Sequence, residues 1–141
     1  MLANIEQATH LIGVYIETAA GKLGITQAEA HVLAQLAGRG PTSIGALHRD
    51  FGHRRSTLTS IIDRLEQRQF VRREINPADR RSFIVRLTPA GAKAARQVTD
   101  GLDTLEQAVR ALVTERDVRG VAAARRAIEI AVRDLTPSAG L

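Results

Sequence analysis

The apolar positions of the first twenty residues, Leu2, Ile5, Leu11, Ile12, Tyr15, Ile16 and Ala19, recur at the spacing of one helical face. Gly21 and Gly24 interrupt that pattern. Thr26-Gln27-Ala28-Glu29 then has the form of a capping box, in which a hydroxyl and a carboxylate each close a free backbone donor. Ala30, Leu33, Ala34 and Ala37 carry a second helix as far as Gly38-Arg39-Gly40-Pro41. Thr42 or Ser43 caps a short third helix whose core side is Ile44, Leu47 and Phe51, and Gly52 falls in the turn before a fourth. In that fourth helix, Arg54 to Arg68, a turn of about 100° per residue places Leu58, Ile61, Ile62 and Leu65 on one stripe. Ser56, Ser60, Asp63 and Gln67 lie opposite, flanked by Thr57, Thr59 and Arg64.

The period then changes. Val71, Arg73 and Ile75 share one side of a strand, and Ser82 to Leu87 alternates with Phe83, Val85 and Leu87 inward. Between them Asn76-Pro77-Ala78-Asp79-Arg80-Arg81 is a cluster of turn formers with two arginines at or near its tip, so the segment reads as a β-hairpin with a basic loop. Thr88-Pro89 opens a long helix, threonine as cap and proline in the first turn. Along it Val98, Leu102, Leu105, Val109 and Leu112 keep a heptad spacing. A last amphipathic helix carries Val118, Val121, Ile128, Ala131, Val132 and Leu135, and residues 136–141 read as a flexible tail.

At 141 residues the chain suffices for one domain, and 44% hydrophobic residues set it apart from disordered sequences. No apolar run is long enough to cross a membrane, Met1 to His10 lacks the order of a signal peptide, and cysteine is absent. These features point to the cytoplasm, with no membrane partner. Charge changes the picture more. The net charge is +5 and 18 of the 20 bases are arginine; ten of them lie between His48 and Arg86, against five acids, so the whole excess sits in that segment. A basic segment between neutral ones is the footprint of a polyanion partner, or else a solvated basic face. Small hydroxyl side chains let the fourth helix approach another surface closely, and Arg54 and Arg55 at its entrance supply charge and forked donors.

Enzymatic chemistry finds little footing. His10, His31, His48 and His53 are scattered, with no helical i, i+4 pair, and His48 and His53 have only Asp50 near them. There is no phosphate-binding glycine loop and no nucleophile elbow, so neither a metal nor a cofactor is expected.

Two helices, a basic helix with a hydroxyl face and a hairpin with a basic tip succeed one another in the order of a winged helix-turn-helix. Leu23-Gly24-Ile25-Thr26-Gln27-Ala28-Glu29, Ser56-Thr57-Leu58-Thr59 with Ile62-Asp63-Arg64-Leu65-Glu66, and Asn76-Pro77-Ala78-Asp79-Arg80-Arg81 with Val85-Arg86-Leu87-Thr88-Pro89-Ala90-Gly91 resemble the multiple-antibiotic-resistance regulator (MarR) family of bacterial transcription factors. The resemblance implies a mainly α fold with a small β-hairpin wing. It implies a single domain over 1–141, with a DNA-binding lobe at 22–91 and dimerisation helices at 1–20 and 92–141. It further implies a homodimeric repressor on an inverted-repeat operator in double-stranded DNA. Arg54, Arg55, Ser56, Thr57, Thr59, Ser60 and Arg64 would contact the major groove or phosphates. Arg81, with Arg80, would enter the minor groove, and Asp79 would brace the wing by pairing with Arg81, the alternative being a simple turn-former that caps its own backbone. The resemblance also implies a small aromatic or anionic effector. His10, Tyr15 and His31 are candidates for lining its cleft, although such residues are more often satisfied core or interface groups. Where the family usually has glycine after the recognition helix this chain has Gln69, which must end the helix differently or accept strain. The alternative to a DNA-binding regulator is a winged-helix protein-interaction module, which has no reason to retain both the local charge and Asp79-Arg80-Arg81.

Overall fold

A computed structural model describes residues 1–51 and 55–135, with the backbone alone at Asp50, Phe51 and Arg55. Gly52, His53, Arg54 and the tail at 136–141 lie outside the described residues. The chain divides into two compact units, Met1–Leu102 and Asp103–Leu141.

The first unit opens with α1 (Leu2–Ala20), a single 3₁₀ turn (Gly21–Leu23) and α2 (Gln27–Arg39). The capping box forms as the sequence predicts: Glu29 N–H donates to the Thr26 hydroxyl at 3.3 Å, and Thr26 N–H to the Glu29 carboxylate at 2.9 Å. Next come β1 (Thr42–Ser43) and α3 (Ile44–Phe51), and the cap of α3 is Ser43, whose Oγ accepts from Ala46 N–H at 3.2 Å. Then follow α4 (Arg55–Gln67), β2 (Val71–Asn76), β3 (Asp79–Leu87) and α5 (Pro89–Arg110). The sheet is antiparallel in the order β1-β3-β2, with Thr42 opposite Val85 and Arg73 also opposite Val85 across the other edge. The two-residue strand β1 carries no alternation of its own, so no periodicity announces it. Leu58, Ile61, Ile62 and Leu65 of α4 are fully buried against Leu33 and Leu36 of α2 and Val71 and Val85 of the sheet.

The hairpin corrects one expectation. Phe83 does not point into the core: it is 48% exposed, and its cross-strand partner Ile75 is 63% exposed. The alternation is real, since both lie on the face that buries Val71 and Val85. The core, however, ends at the Arg73–Val85 rung, and the outer half of the hairpin extends beyond it into solvent.

The junction between α4 and the hairpin resolves the question posed by Gln69. Gln69 adopts a left-handed backbone with φ 58°. Its N–H donates to the Glu66 carbonyl at 2.8 Å, and Phe70 N–H donates to the Leu65 carbonyl at 2.9 Å. Those two bonds form the usual glycine-terminated helix ending, here made by a residue with a side chain. Thr88 closes the same junction from the other strand: its N–H donates to the Phe70 carbonyl at 3.0 Å, and its hydroxyl accepts from Gly91 N–H at 3.0 Å. A Cβ at Gly91 would stand 1.7 Å from the Phe70 carbonyl oxygen, so the start of α5 can lie here only without a side chain at that position.

The second unit holds the end of α5 and α6 (Glu115–Leu135). Thr114 and Asp117 cap α6 reciprocally, with Thr114 N–H donating to the carboxylate at 2.9 Å and Asp117 N–H to the hydroxyl at 3.4 Å. No described residue of α6 is buried, and its apolar face, with Val121, Val132 and Leu135, is open. The heptad row that begins in α5 is split: Val98 is core, whereas Leu112, beyond the end of the helix at Arg110, is 86% exposed. No helix among the described residues is long and apolar enough to cross a membrane.

A left-handed residue with a side chain costs roughly 1–2 kcal/mol relative to glycine, partly offset by glycine's greater loss of entropy. Gln69→Gly should therefore raise stability by about 1 kcal/mol, read as a higher urea midpoint at unchanged slope. A lower midpoint would mean that the glutamine side chain makes a net stabilising contribution.

Candidate nucleic-acid interface

Packing the apolar stripe of α4 inward turns Ser56, Thr57, Thr59 and Ser60 to solvent on the opposite side. Three arginine ties hold that helix in place. Arg64 Nε donates to Glu29 Oε1 at 2.7 Å, tying α4 to the start of α2. The Arg68 guanidinium donates to the Leu23 and Gly24 carbonyls, tying the end of α4 to the turn after α1, and lies over the Phe70 ring at 5.2 Å. Arg73 of β2 donates from Nη1 to Glu66 at 2.7 Å and from Nη2 to Asp63 at 2.5 Å, while its own N–H reaches the other Glu66 oxygen at 3.0 Å.

Glu29 is 3% exposed. Burial, the largest single influence on its carboxyl, would raise its pKa. The hydrogen bond and charge of Arg64, together with the Thr26 N–H and hydroxyl, outweigh burial and hold the group below its ordinary value of 4.5. It is therefore a buried carboxylate kept ionised by its partners.

At the wing tip Arg80 and Arg81 are exposed, and neither guanidinium has a carboxylate partner among the described residues. Asp79 Oδ1 accepts from the main-chain N–H of Arg81 at 3.0 Å. The carboxylate thus caps the loop backbone, the alternative to the side-chain pairing that the resemblance implies, and it makes no ion pair with the Arg81 guanidinium. Asn76 completes the loop, with Oδ1 accepting from Ala78 N–H and Nδ2 donating to Ser82 Oγ, both at 3.0 Å.

Arg64, grouped with the DNA contacts in the sequence reading, pairs through Nε with Glu29 while its side chain stays 49% exposed. Arg55 begins α4, while Arg54 lies outside the described residues. In the proposed cleft, His10 is exposed on α1, His31 is half-buried on α2, and the Tyr15 hydroxyl donates to the Gly101 carbonyl at 3.2 Å. Two surface hollows, of about 390 and 550 Å³, are lined by other residues. Of the His48, Asp50 and His53 set, His48 is half-buried on α3 and His53 lies outside the described residues. Sequence reasoning missed Arg68 and Arg73 as fixing residues and saw in Glu29 only a cap. The available signal was Asp63 and Glu66, two acids three residues apart on a helix meant to meet a polyanion.

A helical core that presents one polar helix face beside a basic antiparallel hairpin is a winged helix-turn-helix. Residues 25–83 match the model of the MarR family. Over 97 residues the chain is 29% identical to the HTH-type transcriptional repressor MdtR of Bacillus subtilis (strain 168), covering 69% of this chain and 63% of that protein. It thus spans less than two thirds of that relative's length. S. aureus MepR in its DNA-binding conformation superposes with a TM-score of 0.83 at 17% identity, covering 92% of this chain and 96% of the other. A mutant E. coli MarR complexed with operator DNA gives 0.77 at 23% identity, covering 89% and 91%. Both establish the fold.

Removing the Glu29 charge leaves Arg64 unpaired and weakens the α2 cap, so Glu29→Gln should cost about 1–2 kcal/mol near neutral pH. A carboxyl whose pKa is depressed by folding stabilises fully above its unfolded value of 4.5, and that stabilisation fades as pH falls through the lower folded value. Thermal melts of both proteins should therefore differ most at neutral pH and converge progressively as pH falls below 4.5. A difference that does not change with pH would show that the charge of Glu29 is not what stabilises.

Proposed function

We propose that this chain is a cytoplasmic, homodimeric, sequence-specific DNA-binding repressor. The observation that carries the reading is the division among its arginines. Arg64, Arg68 and Arg73 are used to hold α4, whereas Arg80 and Arg81 stand exposed at the wing tip beside a helix face of small hydroxyls. In this reading Ser56, Thr57, Thr59 and Ser60, with Arg54 and Arg55 at the helix entrance, meet base edges and phosphates in a major groove. Arg81, with Arg80, reaches a narrow minor groove, whose negative potential attracts arginine. The uncovered apolar faces of α1 and α6, including Leu11 and Val121, support a second copy as the dimerisation partner, through helices at 1–20 and 92–141. Repression is supported by the likeness to MdtR.

Fluorescence anisotropy with the DNA upstream of the coding region and a random duplex tests the reading. The native DNA should bind at least ~10³ tighter, with a steep salt dependence and an inverted repeat spaced by about one helical turn. Arg81→Ala should lose about 1–3 kcal/mol of that affinity. Equal, weak binding to both duplexes, unchanged by Arg81→Ala, would point instead to a protein-interaction module.

Release by a small aromatic anion belongs to the same reading. It is supported by the hollow of about 390 Å³ in which Arg86 and Arg96 stand among Leu36, Pro41, Leu87 and Ala92. Benzoate should weaken operator binding by the wild type and not by Arg96→Ala; an equal effect on both removes this site.

A further inference from the structure

Two acids on the helix that approaches DNA need explaining. Asp63 lies on the side of α4 opposite the apolar stripe and is half-buried, and Glu66 follows three residues later. Left alone, both carboxylates would oppose a phosphate backbone. Both are instead met by Arg73, which comes from the wing strand β2 and not from α4 itself. Its side chain is only 24% exposed, with one guanidinium nitrogen on each acid and its main-chain N–H on Glu66 as well. That commitment makes it unavailable as a phosphate contact. The planar fork can hold two carboxylates in fixed directions, which a lysine ammonium cannot.

The position of the clamp gives it leverage. Arg73 faces Val85 in the last buried rung of the hairpin, and beyond it Ile75 and Phe83 are open, so nothing in the core holds the outer wing. From Arg73 to Asn76 the strand runs about 10 Å, so a pivot of about 10° at the clamp moves the tip by roughly 2 Å. The helix–wing connection itself passes through the left-handed Gln69, which makes a tertiary tie across the joint all the more necessary.

We infer that Arg73 is a positioning residue for DNA recognition: by joining Asp63 and Glu66 it sets the angle between the recognition helix and the wing and neutralises the helix's own acids. The inference rests on the DNA-binding reading and predicts that specificity, rather than general attraction to DNA, depends on Arg73.

Arg73→Lys keeps the charge and removes the fork. Operator affinity should fall about tenfold, while random-duplex affinity and its salt dependence stay as in the wild type. Because the chain has no cysteine, labels at Gln67→Cys and Ala78→Cys report the helix–wing distance by electron–electron resonance in samples diluted with unlabelled chain. The distance distribution should broaden in Arg73→Lys. It should narrow again when Asp63→Asn, Glu66→Gln and Arg73→Gln are combined, a neutral set able to hydrogen-bond, and this variant also guards against simple misfolding. An unchanged distribution in Arg73→Lys overturns the inference whatever DNA does. So does an equal loss on operator and random duplex, which would make Arg73 a phosphate contact. If wild-type chain shows no preference for its own upstream DNA, the DNA-binding reading fails, and the distance measurement still decides whether Arg73 sets the angle.

Discussion

The structure depends first on a carboxylate placed where a charge is expensive. Glu29 is buried at the start of α2, where it closes the capping box, and its second oxygen receives Arg64 from α4. Removing an ionised group from water costs several kcal/mol, which only close, well-directed partners offset. Here one group satisfies two needs, ending the exposed donors of one helix and fixing where the next crosses it. Since α4 carries the exposed hydroxyl face, the geometry of that face begins at a residue that is not part of it.

The same logic extends outward through the arginines. Arg68 grips carbonyls in the turn after α1, Arg73 joins α4 to the wing, and Arg86 and Arg72 share Glu74 on the sheet. A basic segment thus contains two populations that its net charge does not separate. Those with partners give shape to the lobe; those without, at the wing tip, keep their donors for another molecule. Arginine serves both uses because its fork is rigid and its charge is permanent.

The wing shows how far a small core can reach. Its inner rungs are buried by α4 and α2, and the junction at Phe70, Thr88 and Gly91 packs backbone directly against backbone. Beyond the Arg73–Val85 rung the β2–β3 ladder and the hydrogen bonds of the loop give it form, Asp79 and Asn76 acting on the backbone of their own turn. The apolar rows of α1 and α6 remain uncovered in one chain, a state that a partner surface would relieve.

Much of this was legible in the residues themselves. The apolar stripe of α4, the Thr26–Glu29 capping box, the turn formers at the wing and the Thr88-Pro89 start of α5 are local devices, and local periodicity and hydrogen-bonding chemistry determine them without reference to distant chain. Gln69 was legible as an exception, though not its remedy. What only the tertiary structure decided involves partners far apart in sequence: Arg64 with Glu29, Arg68 with Leu23 and Gly24, Thr42 with Val85. The exposure of Phe83 belongs here too, because alternation tells which face a residue takes but not where the core beneath that face stops. A charge or an apolar side chain acquires its role from what folding brings against it, and a linear pattern carries that information only for neighbours within a turn or a hairpin.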